Sequence, residues 1–369
     1  MARRALPMAR ALAERGHHVA VVLPPWSNPS DSGRCYDDGG VRVENLVLPP
    51  RIPFIFELLL CTALIRRALA IQPEVIHCFK PKAYAGVCAW VVWHLRGLGL
   101  TRARLVVDSD DWEGAGGWNE VERYSWLLKR FFAWQEQWGL IHADAITVAS
   151  RTLESLVWGL GVSPSKVFYV PNGSSDVTIE HRVEPREPNL LLYTRFFEFK
   201  IERVARLFAA IGAQHPTLRF TVAGAGLFGE EQIFMEWLNR LGLGGRVQML
   251  GWVAASDLPG VFAQATLAYY PFDDTLLNRT KCAIKLVDLL SAGVPVVAEA
   301  VGQNREYIVH GESGLLVTSE DEACSMAAVN ELLNDPTLRE RISAGARRRM
   351  SDHFLWRRLV AKLEQAYDP

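Results

Sequence analysis

Two cations follow an apolar run in the middle of the chain, with the spacing Arg195-x4-Lys200. The run Leu190–Thr194 predicts a buried strand, and the residues after Lys200 predict a helix. Ligands of open α/β sheets bind beyond the carboxyl ends of the strands. Two cations there can neutralise a diphosphate, the arginine through forked hydrogen bonds and the lysine as a mobile point charge. The alternative interpretation is that both are solvated loop charges.

A second polar cluster follows the predicted strand Leu267–Tyr270, where a loop leads into a helix that ends near Gly293. Lys281, Lys285 and Asp288 recur at helical spacings of four and three, so they share one face. Backbone N–H groups at the start of that helix favour phosphate, and a carboxylate further along can accept hydrogen bonds from ribose hydroxyls. A surface helix with a charge pair is the alternative, although the apolar neighbours leave little room for a wide solvent face.

Glycines mark two further turns between a strand and a helix. Gly224 and Gly226 follow the predicted strand Arg219–Val222 and allow a tight turn with close approach by a ligand. A lone glycine pair is weak evidence for a nucleotide site, and a packing turn explains it equally well. Gly302 follows the predicted strand Val294–Ala298 and repeats the arrangement.

Carboxylates cluster in the first half of the chain, after the predicted strand Arg104–Asp108. Asp108, Asp110 and Asp111 stand together there, and a carboxylate at a strand end can bind hydroxyl groups or act as a general base. A metal site of the form Asp-x-Asp-Asp and a solvated loop are the alternatives. His77, in the preceding predicted strand, is either a packed histidine or a site residue.

The elements that position these residues alternate between short β-branched runs and longer helical stretches, which is typical of parallel sheets covered by helices. The remaining predicted strands are His18–Leu23, Val41–Leu48, Glu74–Cys78, Ala145–Val148, Val167–Val170, Val247–Leu250 and Gly314–Val317. Helices are predicted at Ile55–Ile71, Lys82–Arg96, Asn119–Trp138 and Ser150–Trp158, and again after the last strand. The proline-containing, aperiodic stretch Pro171–Asn189 predicts a linker between two α/β halves.

Composition excludes several classes of protein. The 369 residues leave room for two or three domains, and a net charge of −1 provides no global field for nucleic acid. Since there is no Cys-x-x-Cys pair, a zinc site is not expected, and the six cysteines favour a reducing compartment. No apolar run reaches the ~20 residues of a membrane span. The Arg-rich start is interpreted as the beginning of a domain, with a transit peptide as the alternative.

An aromatic stretch, Glu122–Trp138, carries Arg123, Lys129 and Arg130 among its tryptophans and phenylalanines. Such a stretch can lie on a membrane interface. Aromatic residues at helical spacing more often pack in a core, so both interpretations stay open.

The stretch Leu190–Val317 resembles the C-terminal domain of the retaining, nucleotide-sugar-dependent glycosyltransferases with the GT-B fold, the family 4-like "glycosyl transferases group 1". The first half resembles the family in outline only. The matching motifs, in chain order, are Thr194-Arg195-x4-Lys200, Gly224-Ala225-Gly226, Gly251-Trp252-Val253 before Leu258-Pro259, Thr280-x7-Asp288 before Ala292-Gly293-Val294-Pro295, and Gly302-x3-Glu306 before Gly311–Val317.

The resemblance implies an α/β fold of two Rossmann-like, doubly wound domains with an interdomain cleft. The expected domains are residues 1–172 and 190–350, with a linker at 173–189 and a terminal helix, 351–369, that can pack back on the first domain. It implies a UDP- or GDP-sugar donor, no cofactor and no metal ion. It assigns catalysis to Arg195, Lys200 and Asp110, donor binding to Arg195, Lys200, Gly224, Gly226, Thr280, Lys281, Lys285, Asp288 and Gly302, and the acceptor side to His77, Asp108 and Asp111.

The resemblance also indicates a cytoplasmic enzyme of cell-envelope polysaccharide synthesis, with peripheral contact to the inner face of a membrane as an option. The acceptor is left open between a glycan, a lipid-linked molecule and a small molecule, and the oligomeric state is not indicated.

Several positions depart from the family pattern. Thr194 replaces a glycine, Thr280 replaces the first of two glutamates, and Asp288 is one methylene shorter than the second. The family's first strand and its Gly-Gly acceptor loop have no counterpart, which leaves a truncated N-terminus as an option. Two other functions therefore stay open, namely a non-catalytic sugar-nucleotide-binding or partner subunit and a sugar-nucleotide epimerase of the same fold.

Overall fold

Two units make up the chain in the computed structural model, which describes residues 3–25, 28–53, 55–175 and 187–368. The N-terminal unit comprises Met1–Asn172, Thr280–Cys282 and Trp356–Pro369, and the C-terminal unit comprises Gly173–Arg279 and Ala283–Leu355. Most of the predicted linker, at residues 176–186, lies outside the described residues.

The strands of the N-terminal unit form two sheets. They are β1 (Val19–Leu23), β2 (Cys35–Asp38), β3 (Val41–Asn45), β4 (Val75–Phe79), β5 (Arg104–Ser109), β6 (Ala145–Val148) and β7 (Val167–Tyr169). β1 pairs in parallel with β3, and β2 completes this sheet antiparallel to β3. β4 to β7 form the second sheet, all parallel and in chain order. Leu105, Val106 and Val107 are fully buried, as expected for a parallel strand covered on both faces.

Helices surround these sheets. They are α1 (Ala5–Glu14), α2 (Ile55–Ala70), α3 (Ala83–Gly97), α4 (Trp118–Val121), α5 (Trp126–His142) and α6 (Arg151–Gly159). Ser125 and Ser150 begin α5 and α6, because each hydroxyl accepts a hydrogen bond from the backbone N–H three residues later.

Six parallel strands form the sheet of the C-terminal unit. They are β8 (Asn189–Tyr193), β9 (Arg219–Ala223), β10 (Val247–Gly251), β11 (Leu267–Tyr270), β12 (Val296–Glu299) and β13 (Leu315–Val317). Their spatial order is β10-β9-β8-β11-β12-β13, so the direction of winding reverses between β8 and β11. Ligands of doubly wound sheets bind at such a switch point, beyond the carboxyl ends of the strands. The loops after β8 and β11 therefore lie where a ligand is expected.

Helices cover both faces of this sheet. They are α7 (Ile201–Gln214), α8 (Glu230–Arg240), α9 (Leu258–Ala263), α10 (Leu276–Thr280), α11 (Ile284–Ser291), α12 (Asn304–Tyr307), α13 (Glu322–Asn334) and α14 (Pro336–His353). In α7, Val204, Leu207, Phe208 and Ile211 form one buried stripe at the spacing of an amphipathic helix. The stripe packs with Leu190 and other residues of the sheet in one core.

The last helix, α15 (Trp356–Tyr367), belongs to the N-terminal unit, where Leu359 and Leu363 pack with Leu12 and Val170. Short 3₁₀ turns lie at Pro29–Asp31, Pro164–Lys166 and Gly244–Arg246. Among the described helices, none is long and apolar enough to cross a bilayer.

The prediction of an α/β fold in two Rossmann-like halves is confirmed, with two differences in detail. The predicted helix Asn119–Trp138 is wrong as one element, because the chain is extended at Glu122 and a new helix begins after Ser125. The strand β2 was not predicted, because its residues Cys35–Asp38 are short, polar and largely exposed.

Candidate functional site

The loop after β8 holds Arg195 in a fixed backbone conformation. The carboxylate of Glu198 is buried, and its Oε2 accepts hydrogen bonds from Thr194 Oγ1 at 3.1 Å and from the backbone N–H of Arg195 at 3.2 Å. Phe196 adopts a left-handed conformation with φ of 68°. The guanidinium of Arg195 lies 5.8 Å from the ring of Phe197, and its Nε is buried without a hydrogen-bond partner among the described residues. A buried N–H of this kind favours a ligand that offers a hydrogen-bond acceptor atom at this position.

Hydrogen bonds join the loop after β8 to the loop after β11 across the switch point. The side-chain amide of Asn278 donates to the carbonyl oxygens of Glu198 at 2.7 Å and Asp273 at 2.8 Å. The backbone N–H of Asp273 donates to the carbonyl oxygen of Glu198. The backbone N–H of Lys200 donates to the Asp273 carboxylate at 2.8 Å. Arg195 and Lys200 thus stand on a loop that is hydrogen-bonded at both ends.

The ammonium of Lys200 is exposed and lies 3.0 Å from Glu320 Oε2. The hydrogen bond and the charge of Glu320 raise the pKa of Lys200, so the side chain is a cation at neutral pH. A 70% exposed ammonium can leave one carboxylate for a ligand anion at little cost.

A buried ion-pair network lies beneath this lysine. Arg203 donates to both oxygens of Glu299, at 2.5 Å and 3.0 Å, and to Asp273 at 2.7 Å. Glu299 is fully buried and also accepts from Tyr269 Oη and from the backbone N–H groups of Phe272 and Glu320. Burial alone lowers the pKa of Arg203, but hydrogen bonds and charges, chiefly those of Glu299, raise it well above its usual value. The network fixes the ends of α7, β11 and β12 and the turn at Glu320.

The polar residues before and within α11 occupy different environments. Thr280 is fully buried, groups with the N-terminal unit, and accepts a hydrogen bond at its carbonyl from Ser150 Oγ at 2.6 Å. Lys281, Lys285 and Asp288 are half-buried. The ammonium of Lys285 lies 5.3 Å from the ring centre of Tyr193, at the end of β8, which places it at the switch point.

Two of the three glycines of the predicted donor site have a steric reason to be glycine. A Cβ at Gly224, whose φ is 128°, would overlap the carbonyl oxygen of Thr194. A Cβ at Gly302 would overlap the backbone of Arg279. The backbone N–H of Gly226 donates to the carboxylate of Glu231 at 2.8 Å, so a side chain of α8 closes the glycine-rich turn. This geometry supports the packing interpretation of Gly224 and Gly226.

An open cleft of about 440 Å³ lies at the carboxyl ends of β12 and β13. Asp274, Arg305, Thr318 and Ser319 contribute polar groups to its wall. The cleft is therefore on the same edge of the sheet as the loop that carries Arg195 and Lys200.

In the N-terminal unit, Asp108 forms a buried, bidentate ion pair with Arg4, at 2.7 Å and 2.6 Å. Thr147 Oγ1 donates to the same carboxylate at 2.5 Å. Burial raises the pKa of Asp108, but the charge and hydrogen bonds of Arg4 lower it below its usual value. Because these partners occupy the carboxylate, the geometry favours a structural role for Asp108.

Asp110 has a different environment from that of its neighbours. Its Oδ1 is buried without a hydrogen-bond partner among the described residues, and Lys80 Nζ lies 3.6 Å from it. Burial raises the pKa of Asp110 to about 6, with Lys80 opposing and Asp111 and Asp108 adding to the rise. Asp111 lies 3.0 Å from the same lysine. Asp110 is thus a carboxylate that can take up a proton near neutral pH.

His77 is packed between Tyr367 and Thr147, with its ring nitrogens 2.9 Å and 3.2 Å from their hydroxyl oxygens. Burial lowers the pKa of His77 to about 4, with Asp108 opposing and Arg4 adding to the fall. The imidazole is therefore neutral and hydrogen-bonded, which favours the packed interpretation. Across the described ranges, no group of three or more His, Cys, Asp or Glu side chains could hold a metal ion.

Sequence reasoning missed Arg203, Glu299 and Arg4. Arg203 and Glu299 are separated by 96 residues, and Arg4 and Asp108 by 104, so no local spacing links either pair. One signal was present, since Glu299 ends a strand that is otherwise Val-Val-Ala, where an unpaired carboxylate would be costly.

Two family models match the chain in order. A glycosyl transferase 4-like domain matches residues 1–173, and the glycosyl transferases group 1 model matches residues 187–335. The chain is 22% identical to a glycogen synthase of Mycobacterium tuberculosis, over 98% of this chain and 88% of that protein. It is 30% identical to a D-inositol 3-phosphate glycosyltransferase of Stackebrandtia nassauensis, over 61% of this chain and 48% of that protein.

Solved structures share the fold at low identity. A sucrose-phosphate synthase from Thermosynechococcus elongatus superposes with a TM-score of 0.73 and 21% identity, over 98% of this chain and 90% of that chain. Anabaena Alr3699/HepE, solved in complex with UDP and glucose, superposes with a TM-score of 0.68 and 18% identity, over 97% and 93% of the two chains.

Proposed function

Because this chain belongs to the group 1 glycosyltransferases with the GT-B fold, we propose that it transfers a sugar from a nucleoside-diphosphate sugar to a hydroxyl acceptor with retention of anomeric configuration. The observation that carries the proposal is the loop Arg195–Lys200 at the switch point. It presents two cations, one of them with a buried N–H group that has no protein partner among the described residues.

The donor diphosphate is proposed to bind to Arg195 and Lys200. When the bond between the sugar and the phosphate oxygen breaks, that oxygen gains negative charge, and fixed cations stabilise this charge more in the transition state than in the ground state. The hydrogen bonds through Glu198 and Asp273 hold the loop in place before the donor binds. Lys200 would exchange Glu320 for the phosphate.

The nucleoside is proposed to lie along α11. Asp288 would accept hydrogen bonds from the ribose hydroxyls, and Lys281 and Lys285 would lie near the phosphates or the sugar. The Anabaena structure that contains UDP and glucose supports a donor of this class, either a UDP- or a GDP-sugar. The two cations supply the charge that a metal ion would otherwise supply, so we propose that transfer needs no metal, and turnover is expected to survive a chelator.

The acceptor is proposed to bind to the N-terminal unit, with Asp110 as the group that receives the proton of its hydroxyl. A carboxylate with a pKa of about 6 is largely ionised at neutral pH and is a stronger base than an ordinary aspartate. Glycans, lipid-linked molecules and small molecules remain candidate acceptors.

A second candidate function is supported by Thr280. The family pattern has an acid there, whereas this chain places a fully buried threonine. Without that carboxylate the sugar could be bound and not transferred, which would make the chain a sugar-nucleotide-binding subunit.

Calorimetric titration with a panel of UDP- and GDP-sugars, followed by hydrolysis and transfer assays on the purified chain, tests both functions. Binding with turnover, lost in Arg195→Ala, is the expected result. Binding of a nucleotide sugar without turnover, whichever acceptor is supplied, would favour the second function. The absence of binding to every donor would contradict both.

A further inference from the structure

Helix α5 exposes large apolar side chains on one side and buries two polar side chains on the other. Its outward side carries Trp126, Leu127, Phe131 and Trp134, which are 67%, 69%, 42% and 47% exposed. Its inward side carries Gln135, Glu136, Gly139 and Leu140, all buried. A surface helix normally buries its apolar face, so the outward side of α5 is suited to contact something apolar.

Exposed apolar side chains also lie on the two neighbouring helices. Within the N-terminal unit, α2 packs against α3, and α3 packs against α5. On α2, Ile55, Leu58 and Leu59 are 47%, 67% and 45% exposed and share one face. On α3, Trp90 is 40% exposed. We call these side chains together with the outward side of α5 the aromatic face.

Ring contacts make the aromatic face continuous across α3 and α5. Phe131 lies 5.8 Å from Trp134, and Trp134 lies 6.5 Å from Trp138, measured between ring centres. Trp138 in turn lies 6.4 Å from His94, which lies 4.2 Å from Trp90. The exposed rings of Phe131, Trp134 and Trp90 are therefore joined through Trp138 and His94 into one patch.

The charges on this surface have one sign. Arg130 lies in the middle of the outward side of α5, 5.3 Å from the ring of Trp126, and Arg66 lies on the same face of α2 as Ile55 and Leu59. Of the two carboxylates on the three helices, Glu136 is buried, and helical spacing directs Glu57 away from that face. An anionic surface is complementary to this arrangement.

We propose that the aromatic face is a docking surface for a phospholipid bilayer with anionic headgroups. Tryptophan rings are favoured at the depth of the headgroups, leucine and isoleucine insert below them, and arginine pairs with lipid phosphate. Two exposed arginines without an opposing carboxylate on the same face favour this occupant over a neutral protein surface. The inference goes beyond the proposed function, because sugar transfer as such requires no bilayer.

Flotation of the full chain with phosphatidylcholine vesicles, with and without phosphatidylglycerol, tests the proposal in the absence of any nucleotide sugar. The wild type is expected to float with the anionic vesicles, and less so as salt is added. The triple variant Trp126→Ser, Leu127→Ser, Trp134→Ser should lose binding by about tenfold or more. The pair Arg66→Gln, Arg130→Gln should lose the preference for anionic vesicles and keep weak binding to neutral ones.

A matched control removes exposed apolar side chains elsewhere. Val47→Ser, Trp158→Ser changes two residues of the same unit that are 71% and 42% exposed, and it should float like the wild type. Brominated lipids should quench the tryptophan fluorescence of the wild type and of this control, which gives a readout that does not depend on the folding of the triple variant.

The proposal fails if the wild type does not float, or if the triple variant floats as well as the wild type. It also fails if sedimentation shows a wild-type dimer that the triple variant abolishes while neither binds vesicles, because the face would then be a contact between copies. Since no donor or acceptor is present, none of these outcomes bears on sugar transfer.

Discussion

Arg203 and Glu299 form a bidentate ion pair in the interior of the C-terminal unit, with N–O distances of 2.5 Å and 3.0 Å. The same arginine reaches Asp273, which in turn accepts the backbone N–H of Lys200. Glu299 accepts the backbone N–H of Glu320, whose side chain pairs with the Lys200 ammonium. The pair therefore fixes Lys200, which is proposed to bind the diphosphate. It holds the backbone of Lys200 through Asp273 and the side chain of Lys200 through Glu320.

Removing one partner of this pair should destabilise the fold strongly. Glu299→Ala leaves the Arg203 guanidinium buried with Asp273 alone, and a loss of about 3–5 kcal/mol in the free energy of unfolding is expected. Urea denaturation followed by circular dichroism measures it. Arg240→Ala, which breaks an exposed pair with Glu236, should change stability by less than about 1 kcal/mol. Equal effects of the two substitutions would contradict a role for the buried pair.

Substitution of the two proposed diphosphate ligands should abolish most transfer without unfolding the chain. Arg195→Ala and Lys200→Ala are each expected to lower kcat/KM by about 10²–10³, because each removes a charge that acts in the transition state. Arg206→Ala provides the control, since Arg206 is an exposed cation of α7 that pairs with Glu202. Steady-state kinetics with the best donor checks the result. Near-normal turnover in Arg195→Ala or Lys200→Ala would refute the assignment.

The strands were predictable because buried parallel strands appear as short apolar runs. Runs such as Leu190–Thr194 and Leu267–Tyr270 each predicted a strand within one or two residues of its bounds. β2 was not predicted, because Cys35–Asp38 lies at a sheet edge and exposes polar side chains. The break before α5 was not predicted, because the aromatic periodicity continues through Glu122–Ser125. Only the serine cap indicates a new helix there.

The part of the site that could be predicted from the sequence is the part that lies directly after a strand. Arg195 and Lys200 follow a strand, so their edge of the sheet could be inferred, but the contact of that loop with Asp273 depends on which strands are neighbours. The reversal of winding between β8 and β11 is a property of the whole sheet and leaves no local pattern. The exposure of Trp126 and Trp134 was likewise left open, because helical spacing shows which residues share a face and not which way that face points.

Asp288 should matter for donor affinity more than for the chemical step. Asp288→Ala removes a carboxylate proposed to bind the ribose, and a charged hydrogen bond of this kind corresponds to about 10- to 100-fold in KM. Asp288→Glu restores the family's own residue and should keep KM near the wild-type value. Calorimetric titration of the nucleoside diphosphate alone separates binding from turnover. An unchanged affinity in Asp288→Ala would remove the residue from the donor site.

Glu136 should make the N-terminal unit less stable as the pH rises. Burial raises the pKa of Glu136 to about 8, so the folded state holds a proton that the unfolded state releases near its ordinary value of 4.5. The folded state binds more protons between these values, so the free energy of unfolding falls across that window by up to about 1.4 kcal/mol per pH unit. Glu136→Gln keeps the acceptor for the N–H of Glu113 and should flatten the fall. Urea midpoints at several pH values test this, and parallel curves for the two proteins would contradict it.

Asp110 should determine how the rate of transfer falls at acidic pH. If its carboxylate receives the acceptor proton, kcat/KM should rise with pH through about 6, the pKa that burial gives this residue, and then level off. Asp110→Asn should lower the rate by about 10²–10⁴ and remove that inflection. Lys80→Met provides a second readout, because the charge of Lys80 lowers the pKa of Asp110, so its loss should move the inflection to higher pH without abolishing activity. A profile that keeps the same inflection in Asp110→Asn would assign it to another group and leave Asp110 a packing residue.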